Sequence, residues 1–301
     1  MHVNRRRVSN GLFCGLLAFA VTGCGDSAPA VEWSVQQGDT TLGPMPENEL
    51  REMVLEGQLP FDSMVREGGG TEGWSPLEKS IPSMAKERVA ATWARAFHEY
   101  AVWGDPGKIA KNSVEKSNYA LWLNAAEPPA KPAPGVAAIL EKATVIIDPL
   151  LALDGAWSPV LDVDGTPISS RSIRGLGRTI WGDLRQALVM NEHERVLGDL
   201  ILLANLPRVA AESDPTARGF MTTLATMGIF GWALSDVEMF REDGGSWSIT
   251  PAQYQQVVQA SDWMENPKPF GAENEANSIS WSRFQSRELG RIRALLQQLG
   301  N

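Results

Sequence analysis

The chain has 301 residues and a formal net charge of −9. An acidic balance of that size argues against nucleic acid as a partner, because a nucleic-acid footprint is basic. A hydrophobic content of 43% and a charged content of 21% are those of an ordinary globular chain, long enough for two domains with cores of their own.

The N-terminal residues read as a signal peptide over 1–23. Arg5, Arg6 and Arg7 precede the short apolar run "GLFCGLLAFAVTG", which is too short for a permanent membrane span. The run ends in Val21-Thr22-Gly23-Cys24, which resembles the lipobox of bacterial lipoproteins. The resemblance implies that Cys24 becomes the diacylated N-terminus and anchors the chain in the cell envelope. Gly25 rather than Asp follows the cysteine, which points to the outer membrane with the body facing the periplasm. Cys14 leaves with the signal peptide and Cys24 carries lipid. The processed chain then has no thiol for a disulfide or a metal, as suits an oxidising compartment. Residues 24–31 form a small-residue tether reaching roughly 25 Å.

Residues 32–82 read as a small α+β domain. The pattern predicts a strand at 32–36, a turn at Gly38-Asp39 and a second strand stopped by Gly43-Pro44. A helix follows with Pro46 in its first turn, Leu50, Met53 and Val54 on one face, and Gly57 at its left-handed end. A strand around Val65-Arg66 and the closing "GWSPLEKSIP" complete the unit. The ordered set Trp33, Gly38, Gly43-Pro44, Glu49-Leu50, Gly57-Gln58-Leu59, Val65-Arg66 and Gly73-Trp74 with Pro76 resembles the GYF domain, and more closely its bacterial relative, GYF domain 2. The resemblance implies an adaptor whose aromatic patch holds proline-rich peptides. Its candidate peptide-binding positions here are Trp33, Val35, Met53, Gln58 and Leu59. Most of the aromatic surface is missing: Met53, Gln58 and Leu59 stand where the proline-binding relatives carry Trp, Tyr and Phe. Trp33 can equally be core.

Residues 83–301 read as mostly helical. Val89, Trp93, Phe97 and Tyr100 form one stripe, and Asp105-Pro106 is expected to open a helix through about 125. "EPPAKPAPG", 127–135, reads as a stiff proline linker, and is itself a possible ligand for the small module. Ile173, Leu176, Ile180, Leu184 and Leu188 make a clean stripe, with Arg171, Arg174, Arg178 and Arg185 largely off it. Further helices are expected over "ERVLGDLILLANL", after Asp214-Pro215, and after a capping box at Thr250-Gln253. Gly219, Gly228 and Gly231 are expected to permit close helix contact. A last helix carries Leu289, Ile292, Leu296 and Leu299.

Motifs for chemistry are sparse. "LDVDGTPI" fits the Asp-x-Asp-Gly-Thr of haloacid-dehalogenase phosphatases, with Asp162 and Asp164 in the reacting positions. The preceding strand is broken by Pro159, and the one lysine after residue 142 is Lys268. A polar Asp-Gly turn explains the stretch, and with Asp154 it still lacks the ligands of a calcium loop. Glu192, His193, Glu194 and Asp199 do not make a zinc motif and read as a solvated helix start. No cofactor or metal is implied. Tryptophan is frequent, eleven residues against three tyrosines. The expectation is a non-enzymatic, lipid-anchored envelope protein with a GYF-like protein-interaction module. The alternatives are an envelope glycan-binding protein using exposed tryptophans, and a hydrolase with an unadvertised site.

Overall fold

The computed structural model describes residues 31–37, 40–60, 63–68, 73–104, 110, 112–127, 129–153, 156–160, 168–214, 216–265 and 285–300. The signal peptide, Cys24, the Gly38-Asp39 turn, Asp105-Pro106, Asp154, Asp162, Asp164 and Lys268 lie outside these residues. Mostly helical, the protein carries one small antiparallel sheet near its N-terminus, so a small α+β unit precedes a helical one.

The sheet holds β1 (Glu32–Gln37), β2 (Thr40–Pro46), β3 (Met64–Glu67) and β4 (Ser75–Pro76), in the order β2-β1-β3-β4. The sequence pattern stopped β2 at Gly43-Pro44. Instead, β2 runs on to Pro46 through a bulge, because the pairing jumps from Val35↔Leu42 to Trp33↔Met45. A bulge on an edge strand absorbs both the missing proline amide and the extra residue. Gly43 sits there at φ +98°, and a Cβ on it would stand 2.6 Å from the Trp33 carbonyl oxygen. Helix α1 (Glu47–Leu55) follows, with Glu47 and Glu49 in its first turn, where the helix dipole favours acids. It ends as expected: Gly57 takes φ +77°, and the Gly57 and Gln58 amides donate back to Val54 and Met53.

Between the two units, α2 (Leu77–Ser80) leads into α3 (Pro82–Glu99). Helix α3 belongs to both cores. Its first turn gives Met84 to the small core of Trp33, Val35, Leu50, Val54, Leu59 and Val65. From Val89 on, it gives Val89, Trp93 and Phe97 to the large one. A boundary drawn at residue 82 therefore meets a continuous helix with a core at each end. Two side chains reinforce the junction. Arg88, buried, donates to the Leu59 carbonyl, and Arg51 of α1 pairs with Glu87.

The helical unit contains α4 (Ser113–Leu123), α5 (Pro134–Leu151), α6 (Ser170–Met190), α7 (His193–Ser213), α8 (Ala217–Glu242), α9 (Pro251–Ser261) and α10 (Gly290–Leu299). Helix α4 starts under an Asn112 cap. Helices α6, α7 and α8 pack on one another at the centre, and the expected stripe from Ile173 to Leu188 is buried throughout. The capping box at Thr250-Gln253 and the buried C-terminal residues Leu289, Ile292, Leu296 and Leu299 also stand as the pattern indicated.

Of the three expected glycines, Gly231 meets a neighbouring helix at ordinary contact distance, its Cβ 3.7 Å from Ile292 of α10, while the tightest helix contacts fall at other glycines. A Cβ on Gly177 would come within 2.7 Å of Leu206, and one on Gly198 within 2.6 Å of Leu151. Gly228 faces open space. Gly219 is tight for a local reason, since its Cβ would land on the Asp214 carbonyl oxygen that precedes α8. Alanine at 219 must displace the first turn of α8 and costs several kcal/mol, about 3 or more on the scale of severe local clashes. Alanine at 228 in the same helix stabilises by about 0.5–1 kcal/mol. Urea denaturation of the two variants reads this contrast directly.

Candidate functional site

The five positions implied by the GYF resemblance do not share one surface. Val35 and Leu59 have no exposed area, and Trp33 is 9% exposed in the same core. Met53 is half-buried and packs on that core, while Gln58 is exposed beside Glu56. Leu59 is held by its own backbone as well, through the Arg88 guanidinium on its carbonyl. Among the described residues of this unit, an accessible ring belongs instead to Trp74, half-buried, with the Arg66 guanidinium 4.4 Å from its centroid.

The proline segment is docked on the helical unit. Trp122 donates its indole N–H to the Ala130 carbonyl at 2.8 Å, Pro129 is buried, and Arg185 donates to the Glu127 carbonyl at 3.2 Å. Arg185 itself is 1% exposed, not off the apolar stripe as the spacing suggested. It pairs with Asp236 of α8 at 3.1 Å and donates to the carbonyls of Leu123 and Ala125. The Asp236 carboxylate also accepts from the Trp181 indole at 2.6 Å. Burial raises the Asp236 pKa to about 6, against the pull of Arg185 and Trp181.

A second network, buried at Asp183 and Asp199 and open to solvent at Asp148, joins α5, α6 and α7. Arg195 donates to Asp183 at 2.6 Å and pairs with Asp148 at 2.9 Å. Asp199, one helical turn beyond Arg195, is wholly buried, and neither of its oxygens meets an N–H or hydroxyl donor. Burial first, and then the neighbouring Asp183, push the Asp199 carboxyl well above the carboxylate range. Burial raises the Asp183 carboxyl too, but Arg195 pulls it back, so Asp199 is the member of this close carboxyl pair that favours its proton, the direction expected where two acids share one site. The grouping of Asp199 with Glu192, His193 and Glu194 dissolves: Glu192 and Glu194 are exposed, and Asp199 belongs to the core. A signal was present in the sequence. Asp183 and Asp199 both interrupt apolar runs, "IWGDL" and "LGDLILL", where an unpaired acid is costly.

Several concavities open on the helical unit, among them one of about 360 Å³ between α8 and α10. A larger one, about 860 Å³, lies between the end of α5, α7 and α9. Leu151, Ile201 and Ala260 give it an apolar floor, and Asn205, Gln256 and Gln259 bring amides to it. Trp157 lines it with the Arg208 guanidinium stacked 3.5 Å from the ring centroid. Another, about 590 Å³, lies between α6 and α8 and is rich in arginine. Among the described residues, no group of three or more His, Cys, Asp or Glu is placed to hold a metal ion, and no helix is long and apolar enough to cross a membrane. The chain matches no protein-family model, and no curated protein or solved structure is significantly similar to it.

The Asp183–Asp199 pair makes stability depend on pH with a definite sign. Asp199 keeps its proton when folded and loses it when unfolded above about pH 4. Stability from this group is full below that point and declines as pH rises toward the folded pKa, by about 1.4 kcal/mol per pH unit. The Arg195, Asp183 and Asp148 charges face the same site. Asp199→Asn keeps the donor and cannot ionise, so its melting temperature should exceed the wild type's at pH 8 and match it more closely at pH 5. A wild-type and variant difference that stays constant across this range would contradict a protonated Asp199.

Proposed function

We propose that this chain is a non-enzymatic, lipid-anchored protein of the bacterial cell envelope, in which a GYF-like module is mounted rigidly on a helical body that provides most of the recognition surface. What supports the reading most is the exposure pattern. Three of the positions that would frame a proline cradle, Trp33, Val35 and Leu59, are spent on the module's core, whereas the helical body carries several concave surfaces. An aromatic groove supplies contact area through exposed ring faces, and buried rings supply none. The perturbed carboxyls Asp183, Asp199 and Asp236 lie in the core against Arg195 and Arg185, where they serve packing rather than proton transfer to a substrate.

A second reading, envelope glycan binding, is favoured by the larger cleft. Sugar hydroxyls both donate and accept, and so do the Asn205, Gln256 and Gln259 amides that meet there. Trp157 adds an apolar ring of the kind that sugar C–H faces cover. Exposed tryptophans in a row would have strengthened it, but Trp93, Trp181 and Trp247 are buried.

Fluorescence anisotropy of labelled proline-rich peptides against the purified full chain separates the cradle from the frame. The expected result is no saturable binding below about 1 mM, with the chain's own 126–136 peptide no better than the rest. Micromolar binding of unrelated polyproline peptides would overturn the assignment of the module as a frame. Membrane fractionation tests the anchor: Cys24→Ser should release the protein to the soluble fraction, and retention in membranes equal to wild type would remove it.

A further inference from the structure

We propose that the groove between α6 and α8 is a binding site for a discrete organic phosphate, with arginines taking the oxyanions and Trp232 taking an adjoining ring or chain.

The arginines are arranged by helix geometry. Arg171, Arg174 and Arg178 lie at i, i+3 and i+7 of α6 and all line the groove. Their spacing sets three guanidinium groups along roughly 10 Å of one helix face. Arg291 of α10 closes the row from the far side. The single acid in the lining is Glu288, 4.0 Å from Arg291. In a chain of net charge −9, Arg174, Arg178 and Arg291 facing the one Glu288 carboxylate make a local reversal of sign. The bonds that hold two of them leave their charge in place. Arg174 donates to the Ser170 carbonyl at 3.2 Å and Arg178 to the Asn124 amide oxygen at 2.8 Å, both neutral acceptors. The remaining N–H groups of a guanidinium fork match the oxygens of phosphate in pairs. Arg218 joins the same end of α6 through the Ser170 hydroxyl at 2.9 Å, so the positive field extends beyond the groove itself.

The opposite wall is apolar and fixed. Trp232 is 42% exposed, whereas the other described tryptophans are buried or half-buried, and its inner face rests on Trp181 with centroids 5.3 Å apart. Trp181 is in turn tied to Asp236. The exposed ring is thus held by a two-residue relay from the core, and it keeps its orientation without a ligand. Between Trp232 and the arginine row the floor is open at Gly228, where a Cβ would meet no atom within 4 Å. Tyr100 fills the other side of the floor against Gly175, where any side chain would collide with it. A recessed floor of about 590 Å³ fits a small molecule. A flat headgroup layer is met by protruding basic and apolar tips, so the concavity favours a discrete ligand over the membrane surface.

The test uses the purified full chain with 1-naphthyl phosphate and pyrophosphate as calorimetric probes. Vesicles of phosphatidylcholine with and without phosphatidylglycerol serve as the membrane arm. We expect saturable binding of naphthyl phosphate that weakens with salt. Joint replacement Arg174→Glu with Arg178→Glu should weaken it by about tenfold or more. Trp232→Ala should weaken naphthyl phosphate and leave pyrophosphate unchanged. Gly228→Leu projects a side chain from the open floor, where its Cβ meets no atom within 4 Å, so it should abolish binding, with the melting temperature showing that the fold is kept. Normal binding by Gly228→Leu, or no saturation by either probe below about 10 mM, would overturn the proposal. So would arginine replacements that alter only the preference for phosphatidylglycerol vesicles, which would make this face a membrane contact instead.

Discussion

The buried guanidinium of Arg185 is the contact on which the helical unit depends. It sits in α6 among apolar neighbours, and its two terminal nitrogens are met by acceptors from three parts of the chain, while its Nε stays without one. Asp236 of α8 supplies the counter-ion at 3.1 Å, and the carbonyls of Leu123, Ala125 and Glu127 accept from it in turn. Those three carbonyls belong to the end of α4 and to the start of the proline segment, a stretch with few backbone partners of its own. The Trp122 and Trp181 rings lie on either side, 5.6 and 6.0 Å from the guanidinium carbon. A charge removed from water at this depth is costly unless fully paired. The packing of α4, α6 and α8 brings those acceptors to it.

From that clasp the order spreads outward in two directions. Through Asp236 and Trp181 it reaches Trp232 at the surface and sets one wall of the α6–α8 groove. Through Trp122 and the Ala130 carbonyl it fixes how the chain enters α5, and α5 then supplies Leu151 to the large cleft and the exposed Asp148 to the second ionic network. The small sheet unit attaches separately, by α3. Since that helix has one end in each core, tilting the sheet unit would pull Met84 from one core or Trp93 from the other. The Arg88 bond to the Leu59 carbonyl adds a polar fastening at the hinge point.

Apolar periodicity carried much of this in the sequence. The stripes of α3, α6 and α10, the Gly57 helix end and the Thr250 capping box are local devices, and each was legible as such. What was not legible was long-range polar pairing. Arg185 looks like any other arginine of α6, and only the arrival of Asp236, 51 positions away, makes it core. The edge-strand bulge was missed because Gly43-Pro44 reads as a strand stop until the partner strand is known to skip a residue. The arginine row was visible as a pattern, but its meaning needed α8 to place Trp232 and Gly228 opposite. The tight glycines were also invisible, since what makes Gly177 and Gly198 necessary is Leu206 and Leu151 on neighbouring helices.

A double-mutant cycle on Arg185 and Asp236 tests the clasp most directly. Arg185→Met and Asp236→Leu each leave one buried charge without its partner, and each should cost about 3–5 kcal/mol in urea denaturation. The double variant should recover a large part of that loss, with a coupling energy of about 2 kcal/mol or more. Hydrogen exchange of the 123–130 amides should accelerate in both single variants. Additive losses, or single variants as stable as wild type with 123–130 still protected, would show that the helical unit is organised by something other than this pair.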